Sequence, residues 1–296
     1  MRVFRYFDSC GALKTLEEKA FRLSDPRQCN DPFEFMPNTG PGLTVEQLQD
    51  THCTPPMIKL FHEQWGSFEG LSPQQSETVY RTVHLPSLAP LLVHEMKNVE
   101  ALHRISLADA IAAEVRILCC SHTHESILMW SHYAQKHQGV VIEFEADEIG
   151  SSEPSIRDIL YRTRSPESSL DISRLSSTKA VEWSYEEEVR LQYHLLDVCE
   201  RSGHCFVNFD PGCIKRVILG CRYNLNHPDA IGLTVILSDP VYAHVEVQHA
   251  RQLGADYKIR FEKCDLLANL MDQNIDVRSA FDEPSHTCPG DESIAI

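Results

Sequence analysis

Nowhere in the 296 residues does an uninterrupted apolar run approach the ~20 residues that a membrane-spanning helix requires, so no such helix is expected. The first residues, Met1-Arg2-Val3-Phe4-Arg5-Tyr6-Phe7-Asp8, lack the apolar core and small-residue cleavage pattern of a secretory leader. Positive charge is scarce: 27 Lys and Arg stand against 43 Asp and Glu, a formal net charge of -16. That excess repels polyphosphates at long range and disfavours non-specific binding to nucleic acid or to an anionic membrane, although a local basic pocket remains compatible with it. Eleven cysteines are present, but there is no Cys-x-x-Cys pair and no even-numbered framework. Reduced thiols in a cytoplasm are the simplest account. Internal repeats are absent too.

What is present has an ordinary globular composition, 42% hydrophobic and 24% charged. A strand at Val3 to Phe7, a helix at Gly11 to Lys19 and a strand at Phe21 to Ser24 open the chain. A turn-rich loop from Asp25 to Glu34 follows. The stretch from Thr44 to about Arg116 reads as mostly helical, interrupted near Pro55-Pro56, Ser72-Pro73 and Pro86 to Pro90. The rhythm then changes. Strands are predicted at Val115 to Cys120, Gly139 to Phe144, Ile159 to Arg162, Glu187 to Tyr193, Cys205 to Phe209, Lys215 to Leu219, Leu233 to Leu237, Tyr242 to Val247 and Lys258 to Phe261. Helices are expected at Ile127 to Gln135 and Leu170 to Val181. Many short strands after an early strand-helix-strand unit indicate an α+β fold around a mainly antiparallel sheet. Residues 1–265 are read as one domain with a helical insertion at about 44–116. Residues 266–296 form a tail, and from about Ala280 its composition predicts disorder.

The most suggestive stretch is Trp183-Ser184-Tyr185-Glu186-Glu187-Glu188-Val189-Arg190. In a strand, Glu186, Glu188 and Arg190 share one face, with neighbours ~7 Å apart. Two close carboxylates oppose each other's ionisation and a guanidinium relieves the conflict, so the trio could hold a sugar hydroxyl or steady a developing positive charge. The plain alternative is a solvated edge-strand face with an ordinary Glu-Arg pair. Trp183 and Tyr185 just upstream suggest a cleft wall. Ser121 ends a strand, where a hydroxyl can brace a carboxylate. Trp130 and Tyr133 are i, i+3 neighbours, equally readable as a core stripe. Asn30-Asp31-Pro32-Phe33-Glu34 makes a self-bonded turn or one wall of a pocket. Arg5 and Tyr6 could supply a phosphate clamp and a stacking ring. His122 and His124 lie near cysteines, but no second pair at zinc spacing follows.

Together, Phe4-Arg5-Tyr6, Leu23-Ser24-Asp25-Pro26, Asn30-Asp31-Pro32-Phe33-Glu34, Leu118-Cys119-Cys120-Ser121, Met129-Trp130-Ser131-His132-Tyr133-Ala134 with Gly139, Lys179 with Trp183-x-Tyr185-Glu186-x-Glu188-Val189-Arg190, and Val217-Ile218-Leu219-Gly220 resemble a widespread, mostly bacterial family of uncharacterised domains. The resemblance runs from about Val3 to Phe261. More distantly, the order of an Arg-bearing first strand, a strand ending in Ser-x-Thr and a Glu-x-Glu looks like ADP-ribosyltransferases. That likeness implies a split sheet and NAD as cofactor. Carried over, Arg5 grips the cofactor phosphates, Ser121 braces Glu188, Glu188 stabilises the oxocarbenium-like transition state and Glu186 activates the acceptor. Tyr133 or Trp130, with Tyr6, stacks on the cofactor, and Arg190 lies beside the catalytic carboxylate. The second Ser of the transferase pattern is missing, and the Asn30 to Glu34 motif has no counterpart there.

The leading expectation is therefore an NAD-dependent ADP-ribosyltransferase-like enzyme, a toxin or antiphage defence effector acting on a macromolecular acceptor that the sequence does not name. It requires Arg5, Ser121 and Glu188 to converge on one cleft. The rival is a non-catalytic domain sensing a nucleotide-like or peptide ligand, with Glu188 and Arg190 in a closed buried pair. A third reading, a metal-dependent hydrolase, requires Asp31, Glu34 and His132 in one coordination sphere.

Overall fold

The computed structural model describes residues 1–35, 44–150, 152–164, 172–254, 256–266 and 268, so the predicted disorder beyond about residue 280 lies outside the described residues. Its strands are β1 (Arg2–Phe7), β2 (Ala20–Leu23), β3 (Val115–Ser121), β4 (Val140–Glu145), β5 (Ser155–Asp158), β6 (Leu160–Arg162), β7 (Thr178–Ala180), β8 (Glu188–His194), β9 (Cys199–Arg201), β10 (His204–Asn208), β11 (Ile214–Leu219), β12 (Glu246–Leu253) and β13 (Lys258–Lys263). The helices are α1 (Ser9–Glu18), α2 (Val45–His52), α3 (Pro55–Phe61), α4 (Pro73–Val79), α5 (Leu85–Glu114), α6 (Ile127–Tyr133), α7 (Ile172–Ser176) and α8 (Pro228–Leu237). Two compact units result, one of Met1–Phe35, Asp109–Ser165 and Asp171–Ile296, the other of Met36–Ala108 and Pro166–Leu170.

The first unit is a mixed α+β structure on an eight-stranded sheet ordered β13-β12-β11-β4-β1-β3-β8-β5. All its neighbours are antiparallel except β11 and β12. Side-chain alternation sorts the central strands into two faces. Val3, Leu118, Cys120, Val140, Ile142, Phe144, Val189 and Leu191 form the main core with Ala12 and Leu16 of α1, Phe21 of β2, Val207 of β10 and Leu233 of α8. Phe21 packs on Phe144 and Phe209 with ring centroids 4.5 and 4.8 Å apart. The opposite face meets α6, where the Tyr6 ring lies edge-on to Trp130 at 5.5 Å.

Strands β1 and β3 pair only at Phe4 and Ser121, so the sheet is split there. The Arg5 guanidinium fills the gap, donating to the carbonyls of Cys119 at 3.0 Å and Arg22 at 3.3 Å. Beyond it Ser24 pairs with Ile117. Without these donors two carbonyls would be left bare inside the protein.

Three sequence expectations are corrected. Leu233 to Leu237 is the end of α8 and not a strand: His227 caps the helix, Pro228 starts it, and its side chains pack against α1. The β-branched run Thr234-Val235-Ile236 is overridden because propensity is weak beside tertiary burial. Leu170 to Val181 is not one helix. Within its described part, α7 stops at Ser176, β7 pairs in parallel with β6, and a 3-10 turn occupies Val181–Glu186. Tyr242 ends a 3-10 turn, and β12 begins only at Glu246.

In the second unit, Thr44 and Ser72 close capping boxes on α2 and α4. Two π-helical turns, His62–Gly66 and Tyr80–His84, bring Phe61 and Tyr80 together at 5.3 Å. The expected break near Pro86 to Pro90 is absent: Pro86 falls in the first turn of α5 and Pro90 lies within the helix. Among the described residues no helix is long and apolar enough to cross a membrane.

Candidate functional site

Five charged side chains, each at most 1% exposed, form one ion-pair network on the face opposite the main core. Glu188 opens β8, and Arg190 follows two residues on, so the strand places both on the same face. Lys179 is the middle residue of β7, aligned with Tyr161 of β6. Glu34 closes the loop after the Pro26–Gln28 turn, where its N–H donates to the Asp31 carbonyl.

Glu186 reaches the network by a route that alternation does not describe. It ends the 3-10 turn, outside the strand, and Glu187 between it and Glu188 is left-handed with φ +43°. A non-glycine residue there costs ~1–2 kcal/mol. The reversal lets residues on either side of Glu187 face Lys179. The expected single strand face is thus corrected to Glu188 and Arg190 alone.

The contacts are short and closed. Lys179 Nζ lies 2.6 Å from Glu186 Oε2, 2.9 Å from Glu34 Oε1 and 3.2 Å from Glu188 Oε2. Arg190 Nε donates to Glu188 Oε1 at 2.6 Å, while its Nη2 reaches Glu34 Oε2 at 2.9 Å and Glu188 Oε2 at 3.1 Å. Its Nη1 donates to the Ser176 carbonyl at 2.9 Å. The Tyr133 hydroxyl donates to Glu186 Oε1 at 2.6 Å and accepts from Asn30 Nδ2 at 2.5 Å. The Glu188 amide donates to the Tyr161 hydroxyl at 2.7 Å.

Electrostatics separate the two central carboxyls. Burial alone would raise both, but Arg190 and Lys179 hold Glu188 down at about 2. Burial, with repulsion from Glu188 added, outweighs Lys179 at Glu186 and pushes its pKa above the usual carboxylate range. Lys179 is raised because three carboxylates outweigh its desolvation. Around the network stand partly exposed aromatics. The Trp183 ring lies 4.9 Å from Lys179 Nζ and 6.2 Å from Tyr185, whose hydroxyl is 3.0 Å from Nδ1 of the exposed His132.

Of the residues expected at the site, Glu186, Glu188, Arg190 and Tyr133 come together. Arg5 does not. Phe4 pairs with Ser121 and Ser121 with Glu188, so these three share a face and Arg5 projects from the other. Ser121 does brace the region, but its Oγ donates to the Glu186 carbonyl at 2.6 Å and not to the Glu188 carboxylate. The Tyr6 hydroxyl donates to the Thr123 carbonyl. Trp130 is fully buried, with Nε1 bonded to the His124 carbonyl. The expected convergence of Arg5, Ser121 and Glu188 is therefore corrected, because strand alternation turns Arg5 away from that face and its guanidinium is taken up by the Cys119 and Arg22 carbonyls. The metal reading is corrected as well: among the described residues no group of three or more His, Cys, Asp or Glu is placed to hold a metal ion. The residue whose role sequence reasoning missed is Lys179. Its signal was the surplus of glutamates over the single Arg190, which demands another buried cation.

A separate cavity of about 340 Å³ lies between Glu125–Leu128 and Tyr257–Ile259 and shares no residue with the network. No curated protein and no solved structure matches the chain. Residues 129–191, which carry Tyr133, Lys179, Glu186, Glu188 and Arg190, match the model of a family described as protein of unknown function (DUF2971).

Proposed function

We propose that this chain is a non-catalytic sensing or interaction domain whose ligand docks where Asn30, His132, Trp183 and Tyr185 border the buried network. One observation carries the reading: both oxygens of Glu188 are occupied, Oε1 by Arg190 and Oε2 by Arg190 and Lys179. A carboxylate that steadies a ribose cation must present a free oxygen to a cleft. Glu188 is instead buried and fully paired. The cation expected to grip NAD phosphates, Arg5, lies across the sheet and is engaged with two carbonyls. Burying five charges is costly unless they pair closely and are hydrogen-bonded, and a network so closed can hold the surrounding groups in place. Here the groups held are the partly exposed aromatics and the Asn30–Tyr133 pair.

The test combines a turnover assay with a binding assay. Incubation with labelled NAD and candidate acceptors is expected to release no nicotinamide. A panel of nucleotides and short peptides is expected to yield a saturable ligand whose affinity falls at least tenfold in Trp183→Ala. Nicotinamide release that Glu188→Ala abolishes would overturn the reading in favour of an NAD-dependent transferase.

A further inference from the structure

One buried carboxylate oxygen on the Asn30 to Glu34 loop has neither a hydrogen bond nor an ion-pair partner among the described residues. Asp31 is 3% exposed; its Oδ1 accepts from the Phe33 amide at 2.9 Å, whereas Oδ2 has no partner. Glu34 Oε1, by contrast, is held by the Lys179 ammonium at 2.9 Å. A buried acceptor without a donor costs ~1–3 kcal/mol, and more when it is charged.

The charge count points the same way. Glu34, Glu186 and Glu188 are three carboxyl groups, with the buried Asp31 a fourth on the same loop as Glu34, while Lys179 and Arg190 supply two cations, both already engaged. A ligand phosphate would add to the excess and find no free cation in the network. A cationic donor would reduce the excess and satisfy Asp31 Oδ2. The surroundings suit such a group: the partly exposed Trp183 already faces one ammonium at 4.9 Å, and Phe33 is 71% exposed beside Asp31.

Resting on the binding reading above, we propose that the Asn30 to Glu34 loop and the adjoining network bind a cationic donor group, a guanidinium or primary ammonium. It is carried by an arginine or lysine side chain of a peptide or by a free polyamine.

Titration calorimetry at low ionic strength tests this with N-acetyl-arginine amide, N-acetyl-lysine amide, spermidine and, as the anionic comparator, ADP-ribose. At least one cationic probe is expected to bind wild type saturably and Asp31→Asn at least tenfold more weakly. Binding of an amino-acid amide without spermidine assigns a peptide side chain; the converse assigns a polyamine. Because Asn keeps the Oδ1 acceptor for the Phe33 amide, unliganded Asp31→Asn should melt at or above the wild-type temperature. A variant that unfolds would make Oδ2 a structural acceptor and overturn the proposal. Binding of ADP-ribose alone would overturn the ligand's charge but leave the binding reading intact. Failure of all four probes would overturn the proposal, and nicotinamide release from NAD would overturn the underlying reading.

Discussion

Replacing Arg190 by Met should cost far more stability than replacing Glu186 by Gln, although both side chains are almost completely buried. Arg190 donates to Glu188 twice, to Glu34 and to the Ser176 carbonyl. Its loss leaves Glu34, Glu186 and Glu188 with Lys179 as the one cation of the network. Removing one partner of a buried ion pair costs about 3–5 kcal/mol, because the abandoned charge stays desolvated. At roughly 2–4 °C per kcal/mol for a unit of this size, the melting temperature should fall by about 6–20 °C. Glu186→Gln, by contrast, removes charge from the side that is in excess. A side-chain carbonyl remains to accept from Lys179 or Tyr133, so the cost should be about 0–1.5 kcal/mol. Urea unfolding followed by tryptophan fluorescence reads both variants. A Trp65→Phe background leaves Trp130 and Trp183, which belong to the first unit. Equal midpoint shifts for Arg190→Met and Glu186→Gln would refute the charge-balance reasoning, and a larger loss in Glu186→Gln would reverse it.

Stability should also follow pH in opposite senses at the two glutamates. Glu188 is depressed from 4.5 to about 2, so its contribution is present above 4.5 and lost as pH falls towards 2. Glu186 is raised above 4.5, so its contribution is full below 4.5 and lost as pH rises through its folded value. Urea midpoints should peak at mildly acid pH, and Glu186→Gln should flatten the decline on the alkaline side. Arg5→Leu should cost about 2–4 kcal/mol by stranding the Cys119 and Arg22 carbonyls. An Arg5→Leu protein that melts like wild type but loses NAD affinity would contradict its assignment as a brace across the split sheet. Gly139→Ala and Gly220→Ala should each cost about 3 kcal/mol or more in thermal unfolding. A Cβ would stand 2.0 Å from the Phe7 carbonyl oxygen at Gly139 and 2.1 Å from that of His137 at Gly220. Soluble, equally stable alanine variants would show that this backbone can yield.

The first three elements were legible from the sequence because their signals are local. Alternating aromatics make β1, Asp8 caps α1, and the short apolar run after Lys19 makes β2. The motif from Trp183 to Arg190 was legible as a cluster of carboxylates and aromatics for the same reason: glutamate at that density beside aromatics is conspicuous in the chain itself. The β-branched end of α8 misled, since only packing against α1 shows that it is helical.

Composition and pattern alone determined a mixed α+β chain, a strongly acidic surface, and a cluster of carboxylates near Arg190. Tertiary structure decided which charges meet. Glu34 and Arg190 are 156 residues apart, and their 2.9 Å contact depends on how a loop is laid against a strand. The left-handed turn at Glu187 brings Glu186 to Lys179, and the alternation of β1 sends Arg5 to the opposite side of the sheet. Spacing along a chain specifies faces only within one element. The partner across the interior is set by packing, and in a buried network the partner determines whether a carboxylate is free to act.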